Sequence, residues 1–117
     1  MAKREKYTIG VDLGGTSIKV GVVSDKGKIS DKLSVETRAD EGPDVVVKQI
    51  KKGISEILNK TNKKIYGIGI GAPGIVSMKK GTVENPPNFP NWNKVNLGKL
   101  IEKEFVNIVL VYFFEIV

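Results

Sequence analysis

Residues Ile9 to Lys19 read IGVDLGGTSIK, and the fold turns on how this stretch is read. Tyr7 to Asp12 (YTIGVD) is short, β-branched and apolar, and it runs into a Gly-Gly turn. Ile18 to Val23 (IKVGVV) has the same character, so two strands flank the turn. Adjacent glycines reach backbone angles that a side chain forbids, and consecutive N–H groups there can converge on an anion. Thr16 adds a hydroxyl and Lys19 a cation. Asp12, at the end of its strand, suits a magnesium ion held directly or through water, as magnesium usually accompanies nucleotide phosphates. The expectation is a β-hairpin whose turn, Gly14, Gly15 and Thr16 with Lys19, wraps the phosphates of a nucleotide. Taken alone, the turn is equally well explained as an ordinary Asp-Gly-Gly hairpin turn.

Outward from this stretch, Asp25-Lys26-Gly27 signals a second hairpin, and Lys28 to Thr37 alternates as a third strand. Tight turns make the three strands antiparallel neighbours. Gly42-Pro43 breaks the chain, and Val46, Val47, Ile50, Ile54, Ile57 and Leu58 then share one helical face. Pro43 suits the first helical turn, and Asp44 complements the helix dipole there. Ile65 to Ala72 (IYGIGIGA) reads as a strand with Gly67, Gly69 and Gly71 on one face, open to another backbone or a ligand. Pro73 to Asn93 carries no helical period. Leu97 to Phe105 predicts a short helix with Asn96 as its N-cap. Ile108 to Phe114 is continuously apolar, which suits a strand buried on both faces. The order is βββ-α-β-α-β: an α/β domain with a mixed sheet and helices packed on it.

Two familiar phosphate motifs are near misses. Gly10 to Thr16 resembles a P-loop but lacks the lysine after the second glycine, and a strand follows rather than a helix. Gly69 to Gly74 fits G-x-G-x-x-G, yet no helical pattern begins there, which argues against a dinucleotide site.

The chain has 117 residues, enough for one small core, and 40% are hydrophobic and 27% charged. The formal charge is +6, with lysines scattered rather than gathered with aromatics, so no nucleic-acid partner is expected. No apolar run approaches the roughly 20 residues of a membrane span, and no signal peptide is read at the N-terminus. Cysteine is absent, which removes disulfides and thiolate metal sites. The expected compartment is the cytoplasm, with no membrane partner.

Three motifs in order carry a family resemblance: IGVDLGGTSIKVGVV, then IGIGAPGIV, then GTVENPPNFPNWN. Together they resemble the ROK family of sugar kinases and repressors, its bacterial glucokinases above all, from Lys6 to about Phe105. The resemblance implies an actin-like ATPase fold with a ribonuclease H-like core. It also implies transfer of phosphate from ATP, with magnesium, to the hydroxyl of a hexose such as glucose. DLGGT corresponds to the family's first phosphate loop, hence Asp12, Gly14, Gly15, Thr16 and Lys19. Ala72, Pro73 and Gly74 correspond to a backbone stretch lining the sugar pocket. Asn88 matches a position near the sugar, and a loop residue bonding its own backbone explains it equally well. Trp92 is read as a packing anchor rather than a sugar-stacking ring.

The family follows its last strand with Glu-Asn-Asp, the asparagine binding sugar and the aspartate acting as general base. Alignment puts Glu115 at the glutamate, Ile116 at the asparagine and Val117 at the base position, and neither of the last two can accept a proton. The family's zinc-binding cluster, adenosine loop and second lobe have no counterpart here. Residues 1–117 are therefore expected to form a single N-terminal nucleotide-phosphate and sugar-binding lobe of a truncated hexose kinase, inactive alone. The alternatives are a fragment of a sugar-sensing ROK repressor and a non-catalytic actin-like interaction domain. With the first strand read about six residues from Met1, a repressor's helix-turn-helix is not expected before it. Exposed apolar surface on the last strand and in the cleft predicts self-association, as a homo-oligomer, or recruitment of a second chain.

Overall fold

The computed structural model describes residues 5–108 and 110–115. The three opening strands are β1 (Tyr7–Leu13), β2 (Ser17–Ser24) and β3 (Ile29–Glu36). They pair antiparallel in sequence order, as the two tight turns require. Helix α1 (Pro43–Lys60) follows, with Pro43 in its first turn and Asp44 at its positive end. The next strand, β4 (Ile65–Ala72), returns beside β1 in parallel, so the connection through β2, β3 and α1 crosses over the sheet. Strand β8 (Leu110–Glu115) adds in parallel to β4. The main sheet is mixed, in the order β3-β2-β1-β4-β8.

Alternation along the strands gives this sheet two different faces. Ile9, Val11 and Leu13 of β1, Ile18, Val20 and Val22 of β2, and Ile68 and Ile70 of β4 all point to one side and are buried. Helix α1 covers them with Val46, Ile50, Ile54 and Ile57. Each such aliphatic contributes about 1.5–3 kcal/mol by leaving water. On the other side a row crosses the sheet in register: Lys32, Gly21, Gly10, Gly69 and Tyr112. The glycines of β4 were expected to admit a backbone or a ligand. At Gly69 the visitor is a side chain: an added Cβ would lie 2.7 Å from the Tyr112 ring. Tyr112 itself remains 41% exposed, contrary to the expectation that β8 is buried on both faces. β8 is the last strand at that edge of the sheet.

The segment after β4 also differs from the expected βββ-α-β-α-β order. It contains a small antiparallel sheet of β5 (Ile75–Ser77), β6 (Thr82–Glu84) and β7 (Lys94–Asn96), ordered β5-β6-β7. Helix α2 (Leu97–Glu104) begins directly after β7, and the Asn96 side chain accepts the Lys99 amide at 3.2 Å, as its N-cap role predicts. Between β6 and β7, Trp92 is buried, donates its indole N–H to the Val83 carbonyl at 3.0 Å, and meets Phe89 edge-on with centroids 5.5 Å apart. This is the packing anchor expected of it.

Candidate functional site

The site is built where the parallel strands end. Asp12 of β1 pairs with Gly71 of β4, and Ala72 of β4 pairs with Glu115 of β8. The turn after Leu13 and the Ala72-Pro73-Gly74 stretch thus leave the sheet side by side, next to the end of β8 at Glu115. Ligands of open α/β sheets gather at these carboxyl ends. Positions 116 and 117, aligned with the family's sugar-binding asparagine and its base, lie outside the described residues.

The turn itself departs from a simple anion nest. Neither Gly14 nor Gly15 has φ in the left-handed region, so neither glycine is there for its backbone angles. Gly14 is there for space: an added Cβ would stand 2.7 Å from the Ser17 carbonyl oxygen. Its N–H is engaged inside the turn, donating to that same oxygen at 3.1 Å. Among the described residues, the Gly15 and Thr16 amides donate to no protein acceptor, and both residues are exposed. These two amides and the Thr16 hydroxyl are the donors the turn offers outward, one amide fewer than the sequence pattern suggested.

Asp12 and Lys19 stand directly opposite each other on β1 and β2, both exposed. They edge a trough of about 650 Å³ on the helix-free side of the sheet, floored by Gly10 and Gly21 and walled by Val23 and Ile29. Its apolar walls do not suit phosphate. Lys19 therefore lies on a strand face beside the turn rather than within it. Among the described residues, no group of three or more acidic, histidine or cysteine side chains is placed to hold a metal ion. A single carboxylate such as Asp12 would suit magnesium carried mainly by phosphate oxygens and water.

Ala72, Pro73 and Gly74 serve first as a junction between the two sheets. Ala72 is fully buried, which leaves its backbone rather than its methyl to face a ligand. Gly74 has φ 89°, and an added Cβ would lie 2.6 Å from the Glu84 carbonyl oxygen and 2.8 Å from Pro86 Cα. This close approach seats the loop that follows β6. In that loop Asn85, Asn88 and Asn91 all adopt left-handed backbone angles, which asparagine tolerates best after glycine. The exposed Asn88 is thereby carried to the phosphate turn: an added Cβ at Gly15 would lie 3.9 Å from Asn88 Cβ. Residues 73 positions apart, proposed from the sequence for different ligands, share one rim.

A residue that sequence reasoning passed over completes the turn. Thr37, just past β3, is fully buried. Its hydroxyl donates to the Gly14 carbonyl at 2.6 Å and its amide to the Thr16 carbonyl at 3.0 Å. Gln49 of α1 donates to the neighbouring Glu36 carbonyl at 2.8 Å. No local pattern marks Thr37, because its partners lie more than twenty residues away.

Comparison with known proteins shows what the chain is similar to. The glucokinase of Thermotoga maritima is 40% identical over 95 residues, which span 81% of this chain and 29% of that protein. The crystal structure of a ROK family glucokinase from Streptomyces griseus, in complex with glucose and AMPPNP, superposes with a TM-score of 0.77 at 32% identity, over 90% of this chain and 32% of that one. A ROK family transcriptional regulator, a homologue of the E. coli MLC protein, shares the fold with a TM-score of 0.79 at 18% identity, over 93% of this chain and 27% of that one. The chain thus spans roughly a third of the length of these relatives. Its fold is that of the ROK sugar kinases, the actin-like ATPase fold. Residues 8–112 match the ROK family throughout, and the chain belongs to that family.

Proposed function

We propose that this chain supplies the phosphate-binding and hexose-facing lobe of an ATP-dependent sugar kinase acting on glucose or a similar hexose. The observation that carries the reading is the approach of Asn88 to Gly15, close enough that a Cβ added at Gly15 would lie 3.9 Å from Asn88 Cβ, which sets the candidate phosphate donors beside the candidate sugar residue. Transfer of a phosphoryl group needs donor and acceptor held within a few ångströms and in line, so a shared rim is what the chemistry requires. The Gly15 and Thr16 amides and the Thr16 hydroxyl would hold phosphate oxygens, with the Lys19 ammonium adding a positive field nearby. The backbone of Ala72, Pro73 and Gly74 and the Asn88 side chain would orient the sugar. Magnesium, when bound, neutralises phosphate charge, and Asp12 is the residue that would hold it, directly or through water. A cytoplasmic location accords with this reading; among the described residues no helix is long and apolar enough to cross a membrane.

The test is a pair of titrations of the full chain, one with ATP and magnesium and one with glucose. Binding of ATP but not adenosine, weakened at least tenfold in Asp12→Ala only when magnesium is present, is the expected result. Binding of adenosine as tight as ATP would exclude a phosphate turn.

A second reading has an observation of its own. A ROK transcriptional regulator shares the fold, so the fold does not separate kinase from sugar sensor. Specific duplex binding that survives moderate salt would favour the sensor. The helix-free side of the main sheet, with Ile29 60% exposed beside the glycine floor, supports self-association. A monomer by light scattering at high concentration would overturn that part.

A further inference from the structure

We infer that Thr37 is a positioning residue for the phosphate turn: it fixes the direction of the Gly15 amide, and confines that of Thr16 between two held peptides, without touching the ligand. The inference rests on the phosphate-turn reading of Gly14–Thr16. A peptide unit is planar, so holding a carbonyl fixes the direction of the N–H that follows it. The Gly14 carbonyl belongs to the same peptide plane as the Gly15 N–H. Thr37 holds that carbonyl with its hydroxyl at 2.6 Å. It also holds the Thr16 carbonyl with its amide at 3.0 Å, so the Gly14–Gly15 and Thr16–Ser17 peptides are both pinned, and the Gly15–Thr16 peptide that carries the Thr16 amide is confined between them. The Gly15 and Thr16 amides are left without protein acceptors among the described residues.

The clamp is itself immobilised. Thr37 is fully buried, and the preceding carbonyl, that of Glu36, is held by the Gln49 side chain of α1 at 2.8 Å. No described buried side-chain donor or acceptor is left without a partner, so the Thr37 hydroxyl has its place filled by Gly14 and gains nothing by turning elsewhere. Gly14 supplies the space: only without a Cβ can its backbone lie this close to Ser17 while its carbonyl faces Thr37. Donors aimed in advance cost no reorganisation when the anion arrives, which is why a remote buried hydroxyl can govern affinity at an exposed loop.

The experiment titrates tripolyphosphate into the isotope-labelled full chain and follows the Gly15 and Thr16 amide resonances. Wild type, Thr37→Val, Thr37→Ser and the core control Val46→Ala are compared, each with its unfolding midpoint measured. Thr37→Val keeps the shape and the amide bond to Thr16 but leaves the Gly14 carbonyl without its donor. It is expected to weaken tripolyphosphate binding about tenfold. Thr37→Ser restores the affinity, while Val46→Ala loses stability and keeps it. Wild-type affinity in Thr37→Val, or an equal loss in Val46→Ala, overturns the inference and leaves the phosphate turn standing. A wild-type chain whose Gly15 and Thr16 resonances ignore tripolyphosphate overturns both. If Thr37→Val does not fold, Thr37→Cys, a weak donor of similar size, carries the same comparison.

Discussion

At one end of β2 the chain turns through Gly14-Gly15-Thr16, and at the other through Asp25-Lys26-Gly27. The second turn leaves no amide over: the Asp25 amide donates to the Lys6 carbonyl at 2.8 Å, and the rest bond within the turn. The Gly27 amide donates to the Ser24 carbonyl at 2.9 Å, the Ser24 amide donates to the Lys28 carbonyl at 2.8 Å, and the Ser24 hydroxyl accepts from the Lys26 and Lys28 amides. Gly27 sits at φ 83° with open space around it, so it is needed for its backbone angle alone. The first turn is the reverse. Its glycines have ordinary angles, its carbonyls are held from a distance by Thr37, and two of its amides are left without protein partners among the described residues. A turn whose amides are all taken up by the protein does structural work only. One braced from outside, with donors left over, is built to meet something else.

Gly14→Ala is the substitution that should break this contrast most severely. Its Cβ meets a backbone oxygen at 2.7 Å, and neither partner is a flexible side chain that could swing away. A loss of about 1–3 kcal/mol in urea unfolding is expected. Tripolyphosphate binding should fall with it, because the turn must shift off the Thr37 clamp. A Gly14→Ala chain of unchanged stability would mean that the turn is no tighter than its partner across β2.

At the Ser24 turn the largest effect comes from the side chain. Ser24→Ala removes the acceptor of two amides, at 3.2 and 3.1 Å, in a residue only 5% exposed. A loss of about 1–2 kcal/mol is expected, with tripolyphosphate affinity unchanged. Gly27→Ala follows at about 1 kcal/mol, the cost of placing a Cβ in the left-handed region. Gly27→Asn should recover most of that loss, since asparagine tolerates the same angle. If Gly27→Ala weakened phosphate binding as well, the two ends of β2 would be coupled and the contrast would fail.

These differences explain what the sequence could disclose. Strands β1 to β4 and both helices were legible because each buries one face over enough residues for a period of 2 or 3.6 to register. Val46, Ile50, Ile54 and Ile57 do this for α1. Strands β5, β6 and β7 have three residues each, too few for alternation to rise above the surrounding glycines and prolines. The exposure of Tyr112 depends on which strands and helices cover β8, which no local pattern records. At the site, the motif located the turn and the Asn88 loop but not their approach to each other. It also credited Gly14 with an outward amide that Ser17 takes. Thr37 looks like any strand-end threonine until its distant partners are known.

The smallest expected effect sharpens the comparison most, because it separates two adjacent glycines within one turn. An alanine at Gly15 would meet Asn88 Cβ at 3.9 Å, an ordinary van der Waals distance, and the backbone there is not left-handed. Nothing resists the methyl, and a less flexible unfolded chain offsets part of any cost. Gly15→Ala should therefore stay within about 0.5 kcal/mol of wild type in urea unfolding. The amide of residue 15 remains where Thr37 aims it, so tripolyphosphate affinity should change by less than about threefold. The glycine at 14 is then required for the close approach to Ser17, while the one at 15 leaves room beside Asn88. If Gly15→Ala unfolded as readily as Gly14→Ala, both glycines would be steric necessities. The rim shared with Asn88 would then be closed packing rather than space for a ligand.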